Sequence, residues 1–262
     1  MSTGFRGAIF DVDGVLVNSP HERAWQDALQ QLMESDWKDI AGETSYSPDK
    51  FTPQVYQQVM SGKPRFSGAQ SALEYFDIPD AQERSKAYGD LKQELVIKLI
   101  EAGEFEAFPD ALRFALAVKA AGIPTAAASS SKNAKLFLEK IYLDEFAEQE
   151  GLDYDFITEG LSLQAFFDAD ISGRDFEQGK PHPQIFLTAA EELGVPGGDC
   201  FVVEDAQSGI EAAKAGDMAA LGLARADDEE LLAGAGADLV VTSLDDVDVD
   251  ALAEGRLVKR AG

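Results

Sequence analysis

The feature of this sequence that most constrains its fold is an alternation of short apolar segments with helical segments from about residue 105 onward. The apolar segments are "IPTAAAS", "FFDADIS", "CFVVE", "AALGLA" and "ADLVV". Segments such as "KNAKLFLEKI" and "PQIFLTAAEELG", with apolar residues at helical spacing, lie between them. Strands that alternate with helices are typical of a mainly parallel sheet covered by helices on both faces. The sequence therefore predicts an α/β fold with a doubly wound parallel sheet.

The region between residues 20 and 104 departs from this alternation. It follows the first apolar segment, "RGAIF", and contains helical stretches such as "ERAWQDALQQLM" and "RSKAYGDLKQELVIKLIEA", separated by prolines. A helical block inserted after the first strand predicts a second, smaller domain. We therefore expect a core domain of residues 1–19 and 105–262, and a helical domain of residues 20–104. The acidic, aromatic-rich segment 142–163 is interpreted only as an insertion.

The composition excludes several functional classes. The 262 residues are 45% hydrophobic and 27% charged, as in soluble globular proteins, and no apolar run is long enough to span a membrane. The net charge of −26 argues against a nucleic-acid partner, because phosphate binding needs basic patches. The first strand begins too close to Met1 for the apolar region of a signal peptide, so we expect a cytoplasmic protein. We also expect a monomer or weak dimer. Intrachain disulfides are excluded, since Cys200 is the single cysteine.

Polar side chains occur where several predicted strands end. Asp11 and Asp13 follow the first strand, Ser129 ends the second, and Glu204 and Asp205 follow "CFVV". In an open parallel sheet the carboxyl ends of the strands form the ligand-binding edge. Carboxylates gathered there would repel one another unless a cation lay among them. Oxygen ligands favour a hard divalent ion, and Mg²⁺ fits best because it accepts few protein ligands together with water and phosphate oxygens.

Each of these residues also has an ordinary structural explanation when it is considered alone. Asp13 and Gly14 are typical of a turn, Ser129 could cap a helix, and Lys180 in "GKPHP" could be a solvated side chain before a proline. Together they indicate one site. Because the chain is strongly acidic, a site for an anionic substrate must be locally positive, which makes Lys180 informative.

These segments closely resemble the motifs of the haloacid dehalogenase superfamily, in its capped subfamily I. "FDVDGV" is similar to the first motif, Ser129 to the second, Lys180 to the third and "VVEDAQSGI" to the fourth. The match covers nearly the whole chain in order, with the helical domain placed where that subfamily has its cap. The resemblance implies a Rossmann-like core, an inserted helical cap domain and a Mg²⁺-dependent enzyme that transfers phosphoryl groups through an aspartyl-phosphate.

The resemblance also implies a role for each matching residue. Asp11 would be the nucleophile and Asp13 the general acid and base, while Ser129 and Lys180 would hold the phosphoryl oxygens. The expected metal ligands are Asp11, the backbone carbonyl of Asp13, Glu204 and Asp205. Asp13 argues against dehalogenation, because the haloacid dehalogenases of the superfamily work without Mg²⁺ and generally lack the second aspartate.

Two further segments resemble beta-phosphoglucomutases. In "SSSKN" (129–133), Ser131, Lys132 and Asn133 match residues that hold the non-transferring phosphate of the substrate, and Ser130 lies among them. In "MSGKPRFSG", Arg65 matches the phosphate-binding arginine of the cap. His21 matches a family histidine if two residues are deleted before it; a capping or surface position is the alternative. Ser61 departs from the family, which has a lysine there.

The sequence leaves three functions open. A mutase needs two anion sites, because its bisphosphate intermediate must turn around. Arg65 with Ser131, Lys132 and Asn133 would supply the second. The leading prediction is therefore a beta-phosphoglucomutase-like enzyme acting on a sugar phosphate. The first alternative is a phosphatase that hydrolyses a small sugar phosphate, which needs one anion site and water. A catalytically idle binding protein on the same scaffold is a distant alternative.

Overall fold

The chain divides into two compact units in the computed structural model, which describes residues 4–60 and 63–260. One unit comprises the residues up to Asn18 and those from Glu106 onward; the other is Ser19–Phe105. Each unit is described separately below. In the described ranges no helix is both long enough and apolar enough to cross a membrane.

The first unit contains all the strands found among the described residues. In chain order they are β1 (Gly7–Phe10), β2 (Val17–Asn18), β3 (Glu106–Ala107), β4 (Thr125–Ala127), β5 (Ala169–Asp170), β6 (Cys200–Glu204), β7 (Ala219–Leu223) and β8 (Leu239–Val241). Six of them form one sheet in the order β5-β4-β1-β6-β7-β8, with every neighbouring pair parallel. The predicted α/β parallel sheet is confirmed.

The helices fall into two groups: some cover the sheet of the first unit, and the others form the second unit. They are α1 (His21–Glu34), α2 (Pro53–Val59), α3 (Arg65–Tyr75), α4 (Ala81–Glu101), α5 (Pro109–Ala120), α6 (Ala134–Lys140), α7 (Leu143–Glu150), α8 (Leu163–Phe166), α9 (Gln184–Glu192), α10 (Gln207–Ala215) and α11 (Glu229–Gly234). Helices α1 to α4 belong to the second unit and the others to the first.

Strand β1 lies at the centre of the sheet because its side chains are apolar on both faces. All residues of β1 and β6 are buried, as expected for parallel strands covered by helices on both sides. Ile9 packs with Ala126, Val202 and Ile185 on one face. On the other, the Phe10 ring meets the rings of Phe114 and Phe167. The end of β1 is thereby fixed between the ends of β4 and β6.

The helical unit has its own core, formed where α4 packs against α1 and α3. The buried face of α1 includes Trp25, Leu29 and Leu32, a spacing that gives one apolar stripe. Tyr88 of α4 is completely buried; its ring lies edge-on to Trp25, and its hydroxyl donates a hydrogen bond of 2.9 Å to the Trp25 carbonyl. In Ser19–Phe105, apart from residues 61–62, the structure contains helices and no strand.

Two features of the fold were not predicted from the sequence: the pairing of β2 with β3, and the helix within the insertion at 142–163. Strands β2 and β3 pair antiparallel, joining Val17 to Ala107 and Asn18 to Glu106 where the chain leaves and re-enters the first unit. The insertion at 142–163 contains α7 and closes through a bridge between Tyr142 and Ser162. Strands of two residues are too short to give a periodic signal, which is why β2 and β3 are missing from the sequence prediction.

Candidate active site

The centre of the candidate site is a buried lysine between two carboxylates at the ends of β1 and β6. Nζ of Lys180 donates to Oδ1 of Asp11 at 2.6 Å and also to Oε1 of Glu204. The side chains of Lys180, Asp11 and Glu204 are only 13%, 8% and 1% exposed. Removing one partner from such a cluster would leave an uncompensated buried charge, which costs several kcal/mol. Asp11, Lys180 and Glu204 therefore depend on one another.

Burial has opposite effects on the acids and the base of this cluster. It raises the pKa of Asp11 above its usual range; Lys180 opposes the shift and Glu204 adds to it. It also raises the pKa of Asp205, which lies close to Glu204 and Asp11. For Lys180, burial lowers the pKa, but the negative charges of Asp11 and Glu204 outweigh it and the net shift is upward. Lys180 is therefore cationic at neutral pH.

Glu204 is held in place by its own turn and by a glycine of α10. Its second oxygen, Oε2, accepts a hydrogen bond of 3.0 Å from the backbone N–H of Ala206. A Cβ on Gly209 would lie only 1.9 Å from Cδ of Glu204, so only glycine leaves room for the carboxylate. Both oxygens of Glu204 are thus engaged. Each oxygen of a carboxylate can accept more than one contact, so the predicted role of Glu204 as a metal ligand stays a prediction.

Asp13 and Asp205 are brought together by the turn after β1. Gly14 has φ of +82°, and a Cβ there would lie 1.9 Å from Oδ2 of Asp205. The turn is fixed by hydrogen bonds from Gly14 N to Val17 O (2.8 Å) and from Leu16 N to Val12 O (2.9 Å). The Asp205 carboxylate therefore packs against the backbone directly after Asp13.

The donors at this sheet edge fit a magnesium ion. Asp11, Asp13 and Asp205 offer only oxygen atoms, and the repulsion among these carboxylates contributes to the raised pKa of Asp205. Among residues 4–60 and 63–260, no three Asp, Glu, His or Cys side chains form a ready metal-binding group. Mg²⁺ is usually held by one or two carboxylates together with water and substrate phosphate. The side chains of Asp11 and Asp205 and the carbonyl of Asp13 are the residues that would hold it.

The predicted phosphate-binding segment follows β4. The Ser129 hydroxyl lies 3.5 Å from Oδ2 of Asp13 and accepts a hydrogen bond of 3.1 Å from Ser131 N. Oγ of Ser131 accepts one of 3.3 Å from Asn133 N, and Asn133 is buried. Ser130 is exposed. The structure therefore brings Ser129 next to Asp13 and makes the following turn rigid through its own hydroxyl groups.

Lys132 has partners that the sequence did not indicate. Its Nζ donates to the Gly173 carbonyl at 2.8 Å and to Oδ1 of Asp175 at 2.5 Å. Both lie in the loop after β5, far from Lys132 in the chain. A substrate phosphate that binds Lys132 would share the ammonium group with Asp175.

The remaining predicted residues belong to the helical unit. His21 is the first residue of α1, and its Nδ1 lies 3.3 Å from Nζ of Lys92. Lys92 is buried and its ammonium lies 5.1 Å from the centre of the Trp25 ring. Sequence reasoning missed Lys92, because one lysine in a long helix gives no signal of burial. Ser61 lies outside the described residues.

Arg65 begins α3 and is half-buried. Its guanidinium carbon lies 5.9 Å from the centre of the Phe66 ring. In the described part of the chain, no carboxylate forms an ion pair with it.

Comparisons with known proteins identify a family and several similar proteins. A family model described as haloacid dehalogenase-like hydrolase matches residues 5–217. A beta-phosphoglucomutase of Mycobacterium bovis is 32% identical over 258 residues, which cover 91% of this chain and 90% of that protein. A phosphorylated carbohydrates phosphatase of Thermotoga maritima is 29% identical over 207 residues, or 79% of each chain.

A solved structure is also similar over almost the full length. The beta-phosphoglucomutase of a hyperthermophilic Pyrococcus species superposes with a TM-score of 0.69 and 30% identity, covering 95% of this chain and 99% of that one. The similarity therefore extends over both units.

Proposed function

The chain belongs to the haloacid dehalogenase-like hydrolase family, and on that premise we propose that it is a Mg²⁺-dependent enzyme that transfers the phosphoryl group of a sugar phosphate through an aspartyl-phosphate, as a beta-phosphoglucomutase does. The observation that carries the proposal is the buried Lys180 ammonium bound to both Asp11 and Glu204. A carboxylate can approach a phosphate dianion only if cations screen both charges. Lys180 places such a charge at Asp11.

Three predictions are confirmed by the comparisons and the fold: the superfamily with its beta-phosphoglucomutase-like branch, the α/β core, and the class of activity. The protein is a phosphotransferase or phosphatase. The residue roles, the metal and the substrate are the proposal.

The chemical step begins at Asp11. A carboxylate oxygen of Asp11 attacks phosphorus, the bond from phosphorus to the ester oxygen breaks, and the leaving oxygen takes a proton from Asp13. Lys180 and the Ser129 hydroxyl bind the phosphoryl oxygens. A bound Mg²⁺ would screen the negative charge of the phosphoryl group and of Asp11. In the second half, Asp13 removes a proton from the hydroxyl that attacks the aspartyl-phosphate, a step worth about 10²–10⁴-fold in rate.

A mutase must also hold the phosphate that is not being transferred. The residues proposed for this are Arg65, Ser130, Ser131, Lys132, Asn133 and His21. The Arg65 guanidinium forms no ion pair among residues 4–60 and 63–260, which supports the proposal, as do the relatives named beta-phosphoglucomutase. Arg65 and His21 belong to the helical unit, and residues 130–133 belong to the α/β unit. That both groups bind the same substrate is part of the proposal.

A phosphatase is the second candidate, favoured by one observation. Lys132, which a mutase would need for the second phosphate, is bound to Asp175 and to the Gly173 carbonyl. An enzyme that needs one anion site could keep this ion pair. The Thermotoga maritima relative, named as a phosphatase for phosphorylated carbohydrates, supports the same alternative.

The deciding experiment is an assay of the purified protein with β-glucose 1-phosphate and Mg²⁺, with and without glucose 1,6-bisphosphate. We expect glucose 6-phosphate to form and to form faster with the bisphosphate. Release of inorganic phosphate without glucose 6-phosphate would support the phosphatase. If no phosphoester is turned over and Asp11 traps no BeF₃⁻, the protein is an idle scaffold. A fully active Asp11→Asn variant would refute the mechanism.

A further inference from the structure

Gly89 occupies an unusual position for a glycine. It is buried near the middle of α4, a helix of 21 residues. Glycine lowers the stability of a helix interior relative to alanine, because it has more backbone freedom to lose. Gly89 does not need a positive φ, since it lies within regular helix. Its conformation therefore does not explain why α4 has a glycine here.

The explanation lies in the two residues that begin α3. A Cβ on Gly89 would lie 2.9 Å from Cδ1 and 3.0 Å from Cε1 of Phe66, and 3.3 Å from Cγ of Arg65. The first distance is shorter than real Cβ contacts, and the other two are tight enough that the neighbouring side chain would have to shift. Because Gly89 has no side chain, the Phe66 ring and the aliphatic part of Arg65 can lie directly against α4 at this position.

This contact adds to the packing of α3 on α4, where Ala69 and Leu73 of α3 are buried in the core of the helical unit. The Phe66 ring is 46% exposed, so burial alone fixes it weakly. The Arg65 guanidinium lies 5.9 Å from the Phe66 ring centre and, within the described residues, forms no ion pair. The surface of α4 at Gly89 therefore determines where both side chains lie.

We propose that Gly89 is a positioning residue for Arg65: by leaving space on α4, it fixes the direction of the guanidinium that binds the second phosphate of the substrate. This inference rests on the proposed function, in which Arg65 binds that phosphate. Guanidinium–phosphate hydrogen bonds depend on direction, because the donors form a rigid planar fork.

The effect of Gly89→Ala should be on binding rather than on folding. The atoms that a Cβ would meet belong to the exposed side chain of Phe66 and the half-buried side chain of Arg65, which can swing aside without unfolding the helix. Alanine also favours the helix itself. We therefore expect Gly89→Ala to keep or raise the melting temperature while it moves Phe66 and Arg65 out of position.

The test compares the KM for glucose 1,6-bisphosphate, kcat and the melting temperature of G89A, R65A, F66A and the double variant F66A/G89A. The control is G42A, the same substitution in the same unit, where a Cβ would meet nothing within 4 Å. We expect G89A to raise KM about tenfold, or 1.4 kcal/mol of binding free energy, with kcat and the melting temperature maintained. In the F66A background, which removes the overlapping ring, the G89A substitution should change KM little. G42A should change neither KM nor kcat.

Three results would overturn the inference. If R65A raises KM and G89A does not, Gly89 does not position Arg65, and the proposed function stands. If R65A itself leaves KM unchanged, the second anion site of the proposed function is wrong, and the inference fails with it. If G89A lowers kcat and the melting temperature together, with the same loss in the F66A background, Gly89 has only a structural role.

Discussion

Lys180 and Asp11 form a buried ion pair, with 2.6 Å between Nζ and Oδ1, although 169 positions separate them in the chain. The contact exists because Asp11 follows the central strand β1 and Lys180 lies on the loop that leads into α9. Glu204, which follows β6, completes the cluster. The same three residues therefore contribute to the stability of the α/β unit and to its proposed chemistry.

Replacement of Lys180 tests both aspects. Lys180→Met would leave Asp11 and Glu204 buried without a cation, so we expect the free energy of unfolding in urea to fall by about 3 kcal/mol. Phosphoryl transfer from β-glucose 1-phosphate should be lost. Lys119→Met is the control, since Lys119 also pairs with a carboxylate, that of Asp168 at 2.9 Å, but at a more exposed position. The control should keep its activity and lose less than about 1 kcal/mol; equal losses from both variants would contradict the prediction.

Gly14 tests the approach of Asp205 to the turn after β1. Gly14→Ala would impose strain at φ of +82° and would also push the Asp205 carboxylate away. Gly122→Ala isolates the strain, because Gly122 has φ of +78° and nothing within 4 Å of a Cβ. Each variant should lose about 1–2 kcal/mol of stability from the strain, but only Gly14→Ala should lose phosphoryl transfer. An active Gly14→Ala enzyme would show that Asp205 does not need its close contact with Gly14.

Metal dependence should distinguish Asp205 from a purely structural acid. Chelation with EDTA should abolish turnover, and added Mg²⁺ should restore it. Asp205→Asn should raise the Mg²⁺ concentration needed for half-maximal rate by at least about tenfold, a typical cost of disturbing a metal site. Full activity in EDTA would contradict the proposed metal, and an unchanged Mg²⁺ requirement in Asp205→Asn would remove Asp205 from its ligands.

The surface ion pair of Arg113 and Asp245 predicts a pH effect outside the site. Hydrogen bonds from Arg113 lower the pKa of Asp245 below its ordinary value of 3.8. The pair therefore stabilises the fold above pH 3.8, and this contribution disappears as the pH falls through the lowered pKa. Asp245→Asn should cost less than about 1 kcal/mol at pH 7, because the side chain is partly exposed.

The measurement for this pair is the melting temperature between pH 7 and pH 3. The difference between wild type and Asp245→Asn should be constant near neutrality and should shrink at the acid end. Asp246→Asn is the control, since Asp246 is the exposed neighbour of Asp245 in the chain. A difference that grows as the pH falls would contradict the sign of the prediction.

The sequence predicts the sheet. It also predicts that the polar side chains at the strand ends lie together, because parallel strands place their carboxyl ends at one edge. This is why Asp11, Glu204 and Lys180 could be expected together. Sequence reasoning did not reveal the contact of Lys132 with Asp175, since it depends on where the loop after β5 lies in space. Nor did it reveal the burial of Lys92, which depends on packing within the helical unit.

The pairing of β2 with β3 has a consequence for how this chain can be redesigned. Asn18 lies opposite Glu106 in an antiparallel pair, where the Cα atoms of facing residues are only about 4.5–5.5 Å apart. The two ends of Ser19–Phe105 are therefore already at the separation that a short hairpin loop spans. We expect that the α/β unit can be closed by such a loop, or that a different insert can be fitted at the same two attachment points.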